Sequence, residues 1–283
     1  MTQSVQDKLR SYLRRGMFNV PGFMHPVDAA AQTAILLHQR DENLAGSVAE
    51  IGINHGRSFF LLAQTLRPDE HCLACDLFDN DGQLDSFSRR AQRLGIHVDH
   101  LAVGPSQRLR PADVLKAVGY VRFFSIDGGH MLADVCSDFL LASAVLAQHG
   151  VIALDDFCNP NWPEVSAAVF ECLRDGAYLP FAVTDAKLYV CRAAFHERYL
   201  AMMRSSAWLR GFAQHDITML GAHLMFFHHP PRQRLLFEAL ARLGLGSVAI
   251  ALQQRPLAIH RQRHDRPDSA DADDGTRSDE MVA

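Results

Sequence analysis

Residues 47–58 read Ser-Val-Ala-Glu-Ile-Gly-Ile-Asn-His-Gly-Arg-Ser, and this stretch decides the fold. Ser47–Ile51 is a short apolar run that predicts a buried strand, and a segment of helix formers begins at Ser58. The two glycines between them, Gly52 and Gly56, allow a tight turn and a close approach of the backbone to a ligand. A strand, a glycine turn and a helix in this order predict the first unit of an open α/β sheet.

Beyond this turn, short apolar runs alternate with helical segments. The predicted strands are 72–77, 97–103, 121–126, 151–154, 181–184 and 187–192. The predicted helices are 58–66, 86–94, 111–117, 133–148 and 163–174. Continuous apolar strands separated by helices indicate a mostly parallel sheet that is covered on both faces. The sequence therefore predicts a Rossmann-like, doubly wound α/β fold.

The predicted sheet occupies residues 46–195 and has additional segments on both sides. Residues 1–45 read as a helical cap with an aromatic loop at 16–25. Residues 196–260 read as an α/β appendage, which either packs on the sheet or forms the contact of a homodimer. The helix, strand and helix expected there are 195–212, 217–227 and 232–243. Residues 261–283 are charged and poor in apolar side chains, which predicts a disordered tail.

Composition restricts the class of protein. The 283 residues are 48% hydrophobic, which is enough for a large core, and the net charge of −4 gives no reason to expect nucleic acid as a partner. Cys72 and Cys75 have metal or redox spacing, but they lie within a strand, where their side chains would not converge. No apolar signal core or membrane-length apolar stretch is visible, so a cytoplasmic protein without membrane contact is expected.

Two nucleotide-type ligands suit the first turn. A dinucleotide fold requires Gly-x-Gly-x-x-Gly, whereas here Asn54 replaces the middle glycine and Glu50 stands two residues before Gly52. A carboxylate at that place would repel a diphosphate, but it would receive the ammonium group of an amino acid. Asp76 follows at the spacing from which an acidic residue reaches ribose hydroxyls. Glu50 therefore favours S-adenosylmethionine, and an NAD-dependent oxidoreductase or a non-catalytic binding protein of the same fold remain the alternatives.

At this point the sequence resembles a known family. Val48-Ala49-Glu50-Ile51-Gly52, followed by Gly56-Arg57-Ser58, is similar to the first motif of class I methyltransferases, in the branch with Glu-x-Gly-x-x-x-Gly-x-Ser. The resemblance covers roughly residues 45–195. It implies a cofactor site that is formed by Glu50, Gly52, Gly56 and Ser58 around the methionine part, Asp76 on the ribose, and Asp127.

A second group of acidic residues follows the next strands of the sheet. Asp127-Gly128-Gly129-His130 and Asp155-Asp156 come at consecutive strand ends, which lie about 5 Å apart in a parallel sheet. Carboxylates that close repel each other unless a cation or a shared proton intervenes. Asp127, Asp155 and Asp156 are therefore predicted to bind Mg²⁺, which prefers oxygen ligands. The alternative for Asp155 and Asp156 is that one of them caps the segment that follows.

His130 is the candidate general base of this group. Histidine ordinarily titrates near neutral pH, which suits the removal of a hydroxyl proton. With 15 histidines in the chain, a surface or helix-start histidine is the competing interpretation.

The acidic segments resemble two metal-dependent groups, the catechol-type and the macrolide-sugar O-methyltransferases. That resemblance implies O-methylation of a sugar or small-molecule hydroxyl with the assistance of a divalent metal. The additional acidic ligand of the sugar group has no match in this sequence. The expected walls of the acceptor site are 17–25, 157–162 and part of 195–230, with the rings of Phe18 and Trp162 as candidate stacking surfaces.

Overall fold

The computed structural model describes residues 4–228. The chain divides into two compact units, Met1–Pro230 and Pro231–Ala283, and all the described residues lie in the first. The predicted helix at 232–243 and the predicted disordered tail at 261–283 lie outside the described residues. No helix within residues 4–228 is both long enough and apolar enough to cross a membrane.

The described residues form one nine-stranded sheet in the order β3-β2-β1-β4-β5-β7-β6-β9-β8. The strands are β1 (Ser47–Ile51), β2 (Cys72–Asp76), β3 (His100–Val103), β4 (Val121–Ile126), β5 (Leu146–Leu154), β6 (Tyr178–Val183), β7 (Leu188–Arg192), β8 (Ala213–Met219) and β9 (Ala222–His228). Strands β1 to β5 are parallel, and β7 is antiparallel to both β5 and β6. The strand order reverses between β1 and β4, which is where open α/β sheets bind their ligands.

Helices cover both faces of the sheet. They are α1 (Val5–Ser11), α2 (Pro26–Asp41), α3 (Phe59–Ala63), α4 (Gln83–Leu94), α5 (Pro111–Val118), α6 (Leu132–Val145), α7 (Pro163–Cys172) and α8 (His196–Ser205). Alternate residues of β4 separate the two cores: Phe123 packs with α2, α3, α4 and α8, while Phe124 packs with α5, α6 and α7. This arrangement confirms the predicted doubly wound, mostly parallel α/β fold.

The side-chain alternation of strands also decides where the cysteines of β2 point. Cys72 belongs to the core on one face of the sheet, and Cys75 belongs to the core on the other. Both are free and buried. The prediction that these two side chains do not converge is confirmed, because positions three apart in a strand point to opposite faces.

Several predicted elements have other boundaries in the structure. The helix predicted at 133–148 ends at Val145, because Leu146 already pairs with Val121 in the sheet. The helix predicted at 195–212 is α8, which ends at Ser205. The segment predicted as one strand at 217–227 is in strand conformation but forms two strands, the hairpin of β8 and β9. The hairpin turns at Leu220 and Gly221, which both have positive φ, as tight two-residue hairpin turns require.

Candidate active site

Gly52 lies at the switch point between β1 and β4. Its φ is +82°, and a Cβ atom at this position would come 1.7 Å from the carbonyl oxygen of Asp127. The Asp127 N–H donates to the carbonyl of Ile51 (2.9 Å), and the Gly52 N–H donates to that of Cys75 (2.8 Å). Glycine is therefore required here, and the close approach that it permits is to the backbone of Asp127.

Glu50 is buried two residues before this glycine. Its Oε1 accepts a hydrogen bond from the Ser58 hydroxyl (2.6 Å), whereas its Oε2 has no hydrogen-bond partner within residues 4–228. Burial raises the pKa of Glu50 to about 7, while the Lys187 ammonium and the hydroxyls of Ser58 and Ser125 oppose the rise. A buried carboxylate oxygen without a partner fits an incoming ammonium group, because burying it unsatisfied is costly.

Ser58 therefore has another role than the helix cap considered from the sequence. Ser58 precedes α3, but its side chain makes no capping hydrogen bond with that helix. Its hydroxyl points back to Glu50 instead. The turn brings Ser58 to the end of β1, where its hydroxyl donates to the buried carboxylate. A hydrogen bond to a carboxylate is stronger than one between neutral groups.

Asp76 closes the other side of the turn, at the end of β2. Its Oδ2 accepts the N–H of Asn54 (2.7 Å), and its Oδ1 accepts the N–H of Phe78 (2.8 Å). Oδ2 is thereby held at the first turn and Oδ1 at the segment after β2, and the predicted ribose contact stays a prediction. Gly56 has a packing reason as well, since a Cβ there would come 2.7 Å from the ring of Phe60.

The N-terminal segment is attached to this turn through Arg57. The Tyr12 hydroxyl donates to the carbonyl of Arg57 (2.6 Å), and Arg57 Nε donates to the carbonyl of Val20 (2.7 Å). Burial raises the pKa of the Tyr12 hydroxyl above its ordinary value, so that it remains a donor. The aromatic loop at 16–25 is thus placed beside the predicted cofactor turn.

The acidic edge of the site lies at the ends of β4 and β5. Asp155 follows β5, and its Oδ2 is 2.8 Å from the Nζ of Lys187, which directly precedes β7. The antiparallel pairing of Leu154 with Leu188 places the two side chains side by side. Burial alone would lower the pKa of Lys187, but Asp155, Asp127 and Glu50 raise it above the ordinary value. Lys187 is therefore an ammonium group inside the site.

Two further carboxyl groups face this ammonium. Burial, and next the charge of Asp155, raise the pKa of Asp127 well above its ordinary value. Burial and Asp155 also raise the pKa of Asp28, on α2, to about 6. Together with Glu50, Asp155 and Lys187 these groups form the buried charge network, in which four carboxyl groups face one ammonium. The network is complementary to a positively charged ligand.

Sequence reasoning missed Asp28 and Lys187. Lys187 opens the strand-like run Lys-Leu-Tyr-Val-Cys-Arg, where a charged residue in line with the buried Tyr189 and Cys191 was the available signal. Asp28 reads as an ordinary first-turn acid of a helix, and its N-terminal position alone explains it. No local pattern connects either residue with Asp155.

His130 and Asp156 form a second, more accessible pair. His130 Nε2 lies 3.0 Å from Asp156 Oδ2, and the imidazole stacks on the Trp162 ring with a centroid distance of 4.3 Å. Burial alone would raise the pKa of Asp156, but hydrogen bonds from His130 and Asn159 hold it below the ordinary value. Asp156 has a φ of +57°. At this turn of the backbone the two adjacent side chains diverge, so that Asp155 contacts Lys187 whereas Asp156 contacts His130.

The predicted metal ligands are thus only partly brought together. Asp127, His130 and Asp156 each offer a ligand atom, and these atoms lie within 4.8 Å of one another. Asp155, which the sequence assigned to the metal, is paired with Lys187 instead. Two carboxylates and an imidazole are a suitable donor set for a divalent cation. The residues present therefore fit such an ion, with His130 in the place predicted for Asp155.

Comparisons with known proteins agree with this geometry. Residues 49–157 match the family model of a methyltransferase domain. No curated protein matches the chain in sequence. The match begins in β1 and ends just beyond Asp156, so it includes both the first turn and the acidic edge.

The chain is also similar to solved structures. One is CalS11, a TDP-rhamnose 3'-O-methyltransferase in calicheamicin biosynthesis, with 16% identity and a TM-score of 0.48 over 68% of this chain and 96% of that chain. Another is the O-methyltransferase NovP, with 16% identity and a TM-score of 0.49 over 59% and 78%. A third is TomG from Streptomyces achromogenes, with 18% identity and a TM-score of 0.43 over 68% and 91%. At these values the similarities carry no argument about the acceptor.

The sheet and the first turn agree with the family match. Residues 49–157 match a methyltransferase domain, in agreement with the resemblance of the first motif to class I methyltransferases. This match supports a methyltransferase-type enzyme and weighs against the NAD-dependent oxidoreductase considered from the sequence.

Proposed function

We propose that the chain transfers the methyl group of S-adenosylmethionine to a hydroxyl group of a sugar or another small molecule. The observation that carries the proposal is the position of two unlike groups at the same sheet edge. Glu50 offers a buried oxygen without a partner, and the His130–Asp156 pair lies beyond the neighbouring strands. The first group suits the ammonium of the donor, and the second suits the proton of an acceptor.

The donor would be held by the first turn. Glu50 receives the ammonium, Asp76 faces the ribose, and Gly52 and Gly56 allow the backbone to fold closely there. When bound, S-adenosylmethionine supplies an electrophilic methyl group on a sulfonium ion. The chain contributes mainly the position of the two reactants, which accounts for much of the rate in such a transfer.

His130 is proposed to remove the hydroxyl proton of the acceptor. Asp156 holds the Nε2 side of the imidazole, so Nδ1 is the nitrogen available to take that proton. The charge of Asp156 stabilises the imidazolium that results, as an orienting carboxylate does in other histidine bases. Stacking on Trp162 fixes the plane of the ring. Each of these contacts favours a base over a surface histidine.

A divalent cation is the second part of the proposal. Asp127 and Asp156, with His130, would hold it, and it would supply positive charge that lowers the pKa of an acceptor hydroxyl. The ion and the proton cannot occupy the same imidazole nitrogen. Metal dependence thus decides which of the two roles His130 has during turnover.

The acceptor is proposed to lie between the aromatic loop at 16–25 and the segment after β5. The Phe18 side chain is 61% exposed, which leaves its ring free for stacking. His130 covers one face of Trp162, which also packs against the core formed with α6 and α7, so the exposed ring of Phe18 is the better stacking surface for an acceptor. A glycan or an aromatic alcohol has the flat apolar face that such side chains contact.

The test is a methyl-transfer assay with labelled S-adenosylmethionine and a panel of hydroxylated sugars and phenols. We expect labelled product with at least one of them, and calorimetric binding of S-adenosylhomocysteine but not of NAD. Binding of NAD without binding of S-adenosylhomocysteine would overturn the proposal. Binding of S-adenosylhomocysteine without transfer to any acceptor would instead favour a non-catalytic binding protein.

The metal part is tested in the same assay with EDTA and with added Mg²⁺. If an ion assists, EDTA abolishes transfer and Mg²⁺ restores it, and Asp127→Asn removes the response. Transfer that is insensitive to EDTA would remove the ion from the mechanism and leave His130 as a metal-free base.

A further inference from the structure

Lys187 has no role in the proposed transfer, yet it is among the most deeply buried charged residues of the described chain. Its side chain is 3% exposed, and its Nζ lies 2.8 Å from Asp155 Oδ2. The charges that raise its pKa come from three strand ends, those of β1, β4 and β5. A cation at this depth is retained only where the surrounding carboxylates offset its loss of water.

The position of Lys187 joins the two halves of the site. Glu50 belongs to the proposed donor end, and Asp127 belongs to the acceptor end. The Lys187 ammonium acts on the pKa of both carboxyl groups, and on that of Asp28 above them on α2. His25, which precedes α2, faces the same network through Asp28. The ammonium therefore lies centrally among acids that come from distant parts of the sequence.

The pairing also withdraws Asp155 from any metal. A carboxylate that is in contact with a fixed ammonium can ligate a divalent ion only if the two cations come close together, which costs electrostatic energy in a buried site. The group of residues with converging ligand atoms accordingly contains Asp127, His130 and Asp156 but not Asp155.

We propose that Lys187 is a built-in cation, which neutralises Asp155 from within the chain and so makes the fold and the donor end independent of a divalent ion. Lys187 is in this sense a positioning residue. It keeps the ends of β4, β5 and β7 together and keeps Glu50 in place for the ammonium of the donor. The inference rests on the proposed function only in assigning the donor to Glu50.

The experiment is a double-mutant cycle on the full chain with Lys187→Met, Asp155→Asn and the combined variant. Thermal unfolding and S-adenosylhomocysteine binding are measured in EDTA and in Mg²⁺. In EDTA, Lys187→Met should lower the Tm by about 5–15 °C, because it leaves buried carboxylates unpaired. It should also weaken S-adenosylhomocysteine binding about tenfold, whereas Lys187→Arg keeps the charge and loses less.

The combined variant separates charge from packing. If Lys187 acts as a cation, Asp155→Asn restores much of the Tm that Lys187→Met loses, since both charges of the pair are then gone. Mg²⁺ should raise the Tm of Lys187→Met more than that of the unaltered chain, and this excess should vanish in the combined variant. Mg²⁺ that binds at Asp127, His130 and Asp156 raises the Tm of the unaltered chain as well, so the comparison with that chain removes this contribution.

Three outcomes would overturn the inference. The first is a Lys187→Met variant that is as stable, and binds S-adenosylhomocysteine as strongly, as the unaltered chain. The second is a cycle in which the effects of the two substitutions on the Tm simply add. The third is failure of both Lys187→Met and the combined variant to fold. None of these readouts requires turnover. If Lys187 and Asp155 are energetically coupled but the chain transfers no methyl group, the inference stands and the proposed function is contradicted. If methyl transfer occurs but the pair is not coupled, the proposed function stands and the inference is contradicted.

Discussion

The first turn and the acidic edge both lie at strand ends, but they are built in different ways. The turn between β1 and α3 joins residues that are close in the chain, since Glu50 and Ser58 are eight positions apart. The acidic edge joins Asp155 to Lys187 across the antiparallel pair of β5 and β7, and to Asp28 near the N-terminus. The comparison shows that local motifs predict the donor end, whereas the charge balance of the acceptor end depends on the pairing of distant strands.

The two regions also differ in accessibility. Glu50, in the first turn, is buried, with little exposed area even at its charged end. His130 and Asp156 keep 29% and 20% of their side chains exposed, so an acceptor can reach them. We therefore expect substitutions at the acidic edge to change turnover first, and substitutions at the turn to change donor binding or stability first.

The largest effect is expected for His130→Ala. Loss of a positioned general base should reduce kcat by about 10²–10⁴-fold, with S-adenosylhomocysteine affinity unchanged, because His130 lies away from Glu50. Turnover under saturating donor and acceptor, together with calorimetry, measures both quantities. His97→Ala, at an exposed histidine outside the site, is the matched control. Near-normal turnover of His130→Ala across the pH range would remove His130 from the mechanism.

The next effect concerns the backbone of the turn, with Gly52→Ala as the substitution. Both its positive φ and the 1.7 Å approach to the Asp127 carbonyl oppose a side chain, so we expect a loss of at least about 3 kcal/mol in the free energy of unfolding. Gly95→Ala is the control, because Gly95 also has a positive φ (+64°) but nothing within 4 Å of the added Cβ. That variant should lose only about 1–2 kcal/mol.

Denaturant unfolding of the two glycine variants isolates the contribution of the close approach. Equal losses would show that conformational strain alone explains Gly52, and that the contact between the turn and Asp127 does not constrain the residue.

The smallest effect is a pH dependence at Glu50. Burial raises its pKa to about 7, so Glu50 is protonated below that pH and must lose its proton to receive an ammonium group. Affinity for S-adenosylhomocysteine should therefore increase as the pH rises from 6 to 8, by at most about tenfold per pH unit below 7. Binding at pH 7 should release about half a proton, which calorimetry in buffers of different ionisation enthalpy detects.

Stability without the donor should change in the opposite direction. A folded-state pKa above the unfolded value means that the folded chain binds more protons, so this group favours the folded state at low pH and loses that contribution as the pH rises through 7. Glu50→Gln removes both trends and weakens binding. A pH dependence of affinity that persists in Glu50→Gln would assign it to another group.

Much of the fold followed from periodicity. Short apolar runs predicted β1 and β4 with their observed bounds, because buried parallel strands need continuous apolar sequence. The hairpin of β8 and β9 was not predicted, because the pattern of apolar residues does not change where the first strand ends and the second begins, at Leu220-Gly221. The end of α6 was misplaced because Leu146 suits either a helix or a strand, and only its pairing with Val121 decides.

The candidate site divides in the same way. The sequence placed Glu50, Gly52, Asp76, Asp127 and His130 at strand ends, and the structure brings them to one edge of the sheet. It could not distinguish Asp155 from Asp156, because the two are adjacent carboxylates in the same segment. The positive φ of Asp156 directs that residue to His130, and Asp155 remains next to Lys187.

The amino-acid sequence by itself determined the α/β class and the first turn, because both depend on residues near one another and on the pattern of apolar side chains. Only the tertiary structure decided the partners of the acidic residues. These partners depend on the register of β7 against β5 and on the docking of α2. A buried carboxylate is stabilised by whichever charged group the fold places beside it.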